Sequence, residues 1–332
     1  MTPWLVLRKE EYVTTSDYLT QWHEGRRVLL RASTYEAEGV YIARHLIPYF
    51  EQIAPLLNDL TPMNIHTYTR YKMGNGRHDG KSGGLSVVSV RKHLSILRQA
   101  LDDAVLLGCI PNNPAASVRI KKRVAPVTAR TVFLTADDAQ RLLDGLQGHP
   151  IAPAVALALL YGLRRSEVLG LRWDAIDFEA NTLTICRTVV KNLTIQESDE
   201  TKTDGSRRAF GLLPEVRLML QQVKGGGTAG NGYVFSHPDG TVWRPDSLTR
   251  TFQRQLARLN MPKMRFHDLR HSTASILFDR GWSLEDVKNW LGHSDIETTS
   301  NIYLHYGKTR KVLLAHDLEG MLKIGDITQK ST

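Results

Sequence analysis

The spacing of apolar residues in the first third of the chain predicts a small helical bundle. Residues 11–108 show helical periodicity in four segments, and Thr61-Pro62 supplies a capping residue followed by a first-turn proline. The last segment ends at Gly108 and repeats apolar residues at helical intervals, namely Val90, Leu94, Leu97, Leu101 and Val105. A glycine-rich loop, residues 73–84, precedes this segment. Four helices with one long loop are typical of a bundle.

From Thr135 onward the pattern is mixed. Thr135 and Asp138 form a capping-box signal, and residues 153–163 are almost entirely apolar, which predicts a buried helix. Residues 183–190 are predicted as a strand with a return strand at 207–213, and Thr-Lys-Thr-Asp-Gly lies between them as a turn signal. A short hairpin is predicted at 233–243, and helices follow from Pro245. The second part is therefore predicted as mainly α with a small antiparallel β-sheet.

A proline-rich and basic stretch separates these two patterns. We interpret residues 112–132 as an interdomain linker that lies over DNA, although an ordinary solvated connector has the same composition. The predicted domains are a helical domain at 1–111 and a mixed domain at 133–332, whose tail occupies about 308–332.

Composition and charge restrict the class of protein. The 332 residues are 42% hydrophobic and 23% charged, which is typical of a globular protein, and 43 basic against 34 acidic residues give a net charge of +9. Such a surplus favours a polyanionic partner such as DNA. Cys109 and Cys186 form no disulfide framework. Without an apolar run of membrane-spanning length or a signal-peptide pattern, we expect a cytoplasmic protein with no membrane partner.

Side chains able to bind or transfer a phosphate occur at separated positions: Arg164, Lys202, His267, Arg270, His293 and Tyr303. Taken singly, each is more often a surface or packing residue than a reactive one. His267 and Arg270, three residues apart, are expected to leave the same face of one helix. Their order along the chain makes the set informative.

These residues lie in segments that resemble the boxes of the tyrosine recombinase, or phage integrase, family. The first domain, with its STYEAEGV segment (33–40), is similar to that family's core-binding domain. The matching boxes are GLRRSEVLGLRW (162–173), TKTDGSRRAFGLLP (201–214), FHDLRHSTASILFDRG (266–281) and LGHSDIETTSNIYLH (291–305). Four boxes in order are far more specific than any one of them.

The resemblance implies a role for each of the six residues. Tyr303 is the nucleophile that attacks phosphorus and becomes a phosphotyrosine ester. Arg164 and Arg270 bind the non-bridging oxygens, and Lys202 is the general acid for the 5′ leaving oxygen. His267 accepts a proton or bonds the phosphate, and His293 donates a further hydrogen bond. No cofactor and no metal are implied.

The resemblance also implies an architecture and partners. It predicts a two-domain, C-shaped clamp on double-stranded DNA, and a homotetramer that holds two duplexes and exchanges C-terminal tails. The expected function is site-specific recombination for integration or excision of a mobile element or prophage, in the bacterial cytoplasm. A directionality factor or a DNA-bending protein is an expected accessory partner.

Several alternatives stay open at this point. A type IB topoisomerase would use similar chemistry, and a catalytically idle DNA-binding protein such as a repressor would use the same fold. His267 and His271 have the spacing of a zinc helix, but the segment lacks a glutamate base. We assign Glu167 a supporting role, holding an arginine or a neighbouring helix. Arg165 and His271 are predicted as supporting or phosphate-backbone contacts. Tyr306 is a rival nucleophile, although the family places its tyrosine two residues before a histidine, as Tyr303 is.

Overall fold

A computed structural model describes residues 13–120, 133–191, 195–198, 208–226, 232–237 and 239–292. The chain divides into two compact units, one ending at Thr128 and the other beginning at Ala129. No helix in these described ranges is long and apolar enough to cross a membrane.

The first unit contains the four predicted helical segments. They are α1 (Thr15–Gly25), α2 (Ala32–Tyr41), α3 (Ile47–Ile53), α4 (Pro62–Asn75) and α5 (Val87–Leu106). A π-helical turn, Ile42–Leu46, joins α2 to α3, so that these two helices form one of the four segments. The Thr61 side chain accepts a hydrogen bond from the backbone of Asn64, and Pro62 occupies the first turn, as the sequence predicts.

The apolar stripe of α5 forms one wall of this unit's core. Leu97 and Leu101 are fully buried and belong to the same cluster as Tyr18 and Phe50. Residues beyond α5 continue to pack here, because Ala115 and Val118 are buried in the same core. The start of the segment interpreted as a linker is therefore held against the first unit, and the domain bounds given above stay a prediction.

The second unit is mainly helical with short strands, as the sequence predicts. Its helices are α6 (Ala136–Gly145), α7 (Ala152–Leu160), α8 (Arg165–Leu169), α9 (Pro214–Gly225), α10 (Pro245–Arg258), α11 (Asp268–Asp279) and α12 (Leu284–Leu291). Its strands are β1 (Ile176–Asp177), β2 (Thr182–Ile185), β3 (Thr188–Lys191), β4 (Ile195–Ser198) and β5 (Arg208–Gly211). The predicted buried helix is α7, which lies in the centre of the core.

The strand predicted at 183–190 is interrupted. Among the described strands, β2 lies between β1 and β5 in an antiparallel sheet, whereas β3 pairs with β4 in a second antiparallel pair. The single-strand prediction was wrong because the two halves of the segment have different partners. The return strand is confirmed, since Leu183 pairs with Phe210. The predicted turn at 201–205 lies outside the described residues.

Two further contacts link elements of the second unit. The Thr273 hydroxyl of α11 donates to the carbonyl of Leu159 at 2.7 Å, which fixes α11 on the end of α7. At the predicted hairpin, Ser236 and Val242 form an isolated antiparallel bridge. α11 therefore lies against the end of α7, where a short turn leads into α8.

Candidate active site

The turn between α7 and α8 brings Arg164 close to the end of α12. Gly162 has φ +63°, a left-handed conformation that glycine adopts at little cost. A Cβ atom at this position would lie 2.2 Å from Cδ2 of Leu291. Gly162 therefore serves both the backbone turn and the close approach of α12.

Arg164 is the N-cap residue of α8, and its guanidinium group is held from two sides. Nη1 donates to Oε1 of Glu167 at 2.7 Å, and Nη2 donates to the carbonyl oxygen of Gly292 at 3.3 Å. The side chain remains 33% exposed. Arg164 is thus oriented by the protein and still accessible to a ligand.

Glu167 is the buried carboxylate that orients Arg164. Its side chain is 1% exposed, and it also accepts the backbone N–H of Arg164 at 2.8 Å. Nη2 of Arg208 donates to Oε2 of the same carboxylate at 2.9 Å. Burial alone would raise the pKa of Glu167, but the charges and hydrogen bonds of Arg208 and Arg164 outweigh it and lower the pKa. The prediction that Glu167 holds an arginine is confirmed.

Arg270 of α11 is almost completely buried, at 1% exposure. Its Nη1 donates to the carbonyl of Gly162 at 2.7 Å and its Nη2 to the carbonyl of Leu291 at 2.5 Å. Burial, and next the charge of Arg164, lower the pKa of Arg270, but a guanidinium group remains a cation at neutral pH. Arg270 therefore joins the α7–α8 turn to the end of α12.

His267 lies immediately before α11 as its N-cap, in a helical backbone conformation. Its ring centroid is 5.0 Å from that of His271, with the two planes perpendicular. Part of the His267 residue is exposed to solvent, but protein atoms around its ring remove much of the water there. This desolvation, followed by the effects of His271 and Arg270, lowers the pKa of His267 below the ordinary value. A neutral imidazole at pH 7 can accept a proton.

Three of the six predicted reactive residues are brought together here: Arg164, His267 and Arg270. The other three, Lys202, His293 and Tyr303, lie outside the described residues, as does the rival Tyr306. Gly292, whose carbonyl accepts a hydrogen bond from Arg164, is the last described residue before His293 in the sequence. Within the described ranges, no group of three or more His, Cys, Asp or Glu side chains could hold a metal ion.

Two further arginines join elements of the second unit. Arg165 donates from Nη1 to the Thr249 hydroxyl at 2.7 Å and so ties α8 to α10. Arg208 was not predicted, although a signal exists. Phe210 is buried, and alternate residues of a strand share a face, so Arg208 is directed inward with it. The N–H groups of an arginine that is directed into the protein need a hydrogen-bond acceptor there, and for Arg208 this acceptor is the Glu167 carboxylate.

Models of known protein families match both units of the chain. Residues 132–310, more than half of the chain, match the model of the phage integrase family, and residues 14–73 match that of the phage integrase N-terminal SAM-like domain. A tyrosine recombinase XerC-like protein of Caldanaerobacter subterraneus subsp. tengcongensis is 30% identical, over 92% of this chain and 83% of its own length.

Two solved structures are similar in fold. The Tn1549 transposon integrase in complex with a circular intermediate DNA has a TM-score of 0.73 at 20% identity, over 91% of this chain and 99% of that chain. A lambda integrase tetramer bound to a Holliday junction has a TM-score of 0.66 at 18% identity, over 88% and 78% of the two chains. With the family match over both units and the arginine site in place, the chain belongs to the phage integrase family of tyrosine recombinases, enzymes of site-specific DNA recombination.

Proposed function

We propose that this protein cuts and rejoins duplex DNA through a 3′-phosphotyrosine bond formed by Tyr303. The observation that carries the proposal is the convergence of Arg164 and Arg270 on the end of α12, two residues or fewer before His293. Both cations are held by hydrogen bonds before any substrate arrives, and one of them is accessible.

Two arginines suit the charge of the reaction. Attack on a phosphodiester passes through a pentacoordinate state with two negative charges on its non-bridging oxygens. A guanidinium fork can bind such oxygens in a bidentate manner, and donors already in place need no reorganisation as charge develops. Arg164 would bind these oxygens from its exposed side. Arg270 is buried and already donates to two carbonyls, so it would add its positive charge and its remaining N–H groups. His293 would donate one further hydrogen bond.

Proton transfers complete the step. The Tyr303 phenol oxygen forms a bond to phosphorus, and its proton passes to the neutral ring of His267. The bond from phosphorus to the 5′ oxygen breaks, and the Lys202 ammonium group gives that oxygen a proton. Attack by the 5′ hydroxyl of a second duplex reverses the step and releases Tyr303. The ester conserves the energy of the original bond, so the reaction requires no ATP. The two arginines would neutralise the charge that a metal ion could otherwise neutralise.

The proposed partners follow from the charge and the relatives. A net charge of +9 favours DNA, and the Tn1549 and lambda integrases described above are bound to DNA. We infer a homotetramer on two duplexes with exchange of the tail at about 308–332, acting in the bacterial cytoplasm to integrate or excise a mobile element. A directionality factor or DNA-bending protein would assist it. The helical domain at 1–111, the linker at 112–132 and the catalytic domain at 133–332 would all contact the duplex.

Covalent trapping on a suicide duplex tests this function. Wild-type protein is expected to form a protein–DNA adduct in excess chelator and without nucleotide. Tyr303→Phe should form none while its duplex affinity stays within about twofold, and Tyr306→Phe is the matched control that should still form it. Adducts that persist in Tyr303→Phe and vanish in Tyr306→Phe would transfer the role to Tyr306. If wild-type protein binds its duplex but never forms an adduct, the protein is a DNA-binding protein without this activity.

A further inference from the structure

A second guanidinium group, that of Arg208, binds the Glu167 carboxylate from the sheet. Nη2 of Arg208 lies 2.9 Å from Oε2 of Glu167, and Nη1 lies 3.3 Å from Oε1. This is a two-pronged contact with both oxygens, which restricts the rotation of the carboxylate. The Arg208 side chain is 8% exposed and that of Glu167 is 1% exposed, so water competes little with the pair.

Arg208 is itself held in place by its strand. It is the first residue of β5 and is paired with Ile185 of β2. Its guanidinium carbon also lies 5.5 Å from the centre of the Phe210 ring, within the range of a cation–π contact. The Glu167 carboxylate is therefore held in place by the sheet, through Arg208, as well as by its own helix α8.

The positive charge of Arg208 matters for the reaction because Glu167 also binds Arg164. Glu167 is bonded to Arg164, and a carboxylate beside that arginine offsets its positive charge. With Arg208 included, three guanidinium groups and one carboxylate leave a net charge of +2 around the site. Without Arg208 the net charge would be +1, facing a transition state with two negative charges.

We propose that Arg208 is a positioning residue for strand cleavage, which binds Glu167 so that Arg164 is held for the phosphate and keeps its full charge. This inference rests on the proposed cleavage function. Arg208 does not need to touch the DNA. It acts through the Glu167 carboxylate. Arg208 follows Lys202 by six residues in the sequence, so this contact links that part of the chain to Arg164.

Single-turnover cleavage of two suicide duplexes tests the role. One duplex carries the natural phosphodiester, and the other carries a neutral methylphosphonate at the scissile position, which has one negative charge fewer. Arg208→Gln should slow cleavage of the phosphodiester roughly 10- to 100-fold. This is the range observed in metalloenzymes when a residue that orients a metal ligand is replaced. Its deficit should shrink on the methylphosphonate, because less charge has to be neutralised. Arg208→Lys should recover part of the rate, since the cation remains although the fork is lost.

Further variants separate positioning from folding. Arg217→Gln is the matched control. Arg217 is a half-buried arginine of the second unit, and it donates to the carbonyl of Phe178, which follows β1, the edge strand opposite β5. Its effect should be the same on both duplexes. The double variant Arg208→Gln with Glu167→Gln tests whether Arg208 acts through the carboxylate. Because Arg208 has no other route to Arg164 in this proposal, the double variant should cleave the phosphodiester about as fast as Glu167→Gln alone.

Equal deficits on the two duplexes would overturn the positioning role. The same conclusion would follow if Arg208→Gln slowed the Glu167→Gln variant as much as it slows the wild-type protein. A rate for Arg208→Lys no better than that for Arg208→Gln would also overturn it. If wild-type protein forms no covalent adduct on either duplex, the proposed function itself fails, and the inference about Arg208 fails with it. Adduct formation by wild-type protein therefore distinguishes the two failures.

Discussion

Nη2 of Arg270 donates a hydrogen bond of 2.5 Å to the carbonyl oxygen of Leu291, the last residue of α12. The same guanidinium group reaches the carbonyl of Gly162 at 2.7 Å. One buried cation thus fixes the distance between the turn that carries Arg164 and the helix end that precedes His293. Any change that separates Gly162 from Leu291 should disturb the site without altering a charged residue.

Gly162→Ala is the direct test of this relationship. The new Cβ would meet Leu291 at 2.2 Å, so α12 must shift away from the turn. We expect both a loss of stability and a loss of cleavage activity. Gly148→Ala is the control, because Gly148 has a similar φ of +73° but no heavy atom within 4 Å of the added carbon. The control should cost about 1–2 kcal/mol, the typical penalty of a left-handed residue with a side chain.

Thermal unfolding and suicide-duplex cleavage should be measured for both glycine variants. Gly162→Ala should be less stable than Gly148→Ala and should cleave more slowly. Adding Leu291→Ala to Gly162→Ala makes room for the new methyl group and should restore part of the rate. Identical behaviour of the two single variants would contradict a packing role for Gly162.

Lys202→Ala should slow cleavage severely on an ordinary phosphodiester, because the 5′ leaving oxygen then departs without a proton. A duplex with sulfur in place of that bridging oxygen has a leaving group that needs no general acid. Lys202→Ala should therefore cleave the sulfur-containing duplex at nearly the wild-type rate. Cleavage rates on the two duplexes provide the measurement, and the absence of rescue by sulfur would remove Lys202 from the role of acid.

His93 in the helical bundle should make the first unit less stable in acid. His93 is fully buried, and its Nδ1 lies 2.8 Å from the Tyr68 hydroxyl. Burial, followed by the effects of His45 and Lys72, lowers its pKa to about 4. The unfolded chain binds this proton near pH 6.5, so between pH 6.5 and 4 the unfolded state holds more protons than the folded state. Stability is complete above about pH 6.5 and falls as the pH falls through this window, by up to about 1.4 kcal/mol per pH unit for one histidine.

Hydrogen exchange of the α5 amides, corrected for the intrinsic pH dependence of exchange, measures this slope in the full chain. His93→Gln should flatten it, leaving the part due to two other histidines of this unit. The pKa of His45 is lowered to about 4 by burial and the charge of Lys72, and burial also lowers the pKa of His23. His66→Gln, at an exposed position of α4, is the control and should leave the slope unchanged. An unaltered slope in His93→Gln would show that this group does not titrate as described.

Deleting residues 312–332 should leave binding to a single site almost unchanged and should abolish synapsis. The motive lies in the sequence, where Leu314, Leu318, Met321 and Leu322 form an apolar stripe at helical spacing that must be buried somewhere. Gel-shift affinity, sedimentation of the two-duplex complex and recombinant yield should be compared with those of the full chain. A truncated protein that still assembles tetramers and recombines normally would mean that the stripe packs only on its own domain.

The sequence by itself determined the elements whose signals are local. The stripe of α5, the capping residues at Thr61 and Thr135, and the apolar run of α7 each lie within one helix, so periodicity and capping were sufficient to predict them. The order of the arginine and histidine boxes also indicated the family. Periodicity did not reveal the break between β2 and β3, because both halves of 183–190 favour a strand and only their partners differ.

Only the tertiary structure decided how the site is held. Glu167 and Arg208 are 41 residues apart, and Arg270 and Gly162 are 108 residues apart, so no local pattern links them. A buried guanidinium group must find acceptors, but the sequence does not state which carbonyl or carboxylate will face it once the helices have packed. That choice depends on the path of the α7–α8 turn and the end of α12. It turns a recognisable set of residues into two oriented cations at the end of α12, one partly exposed and one buried.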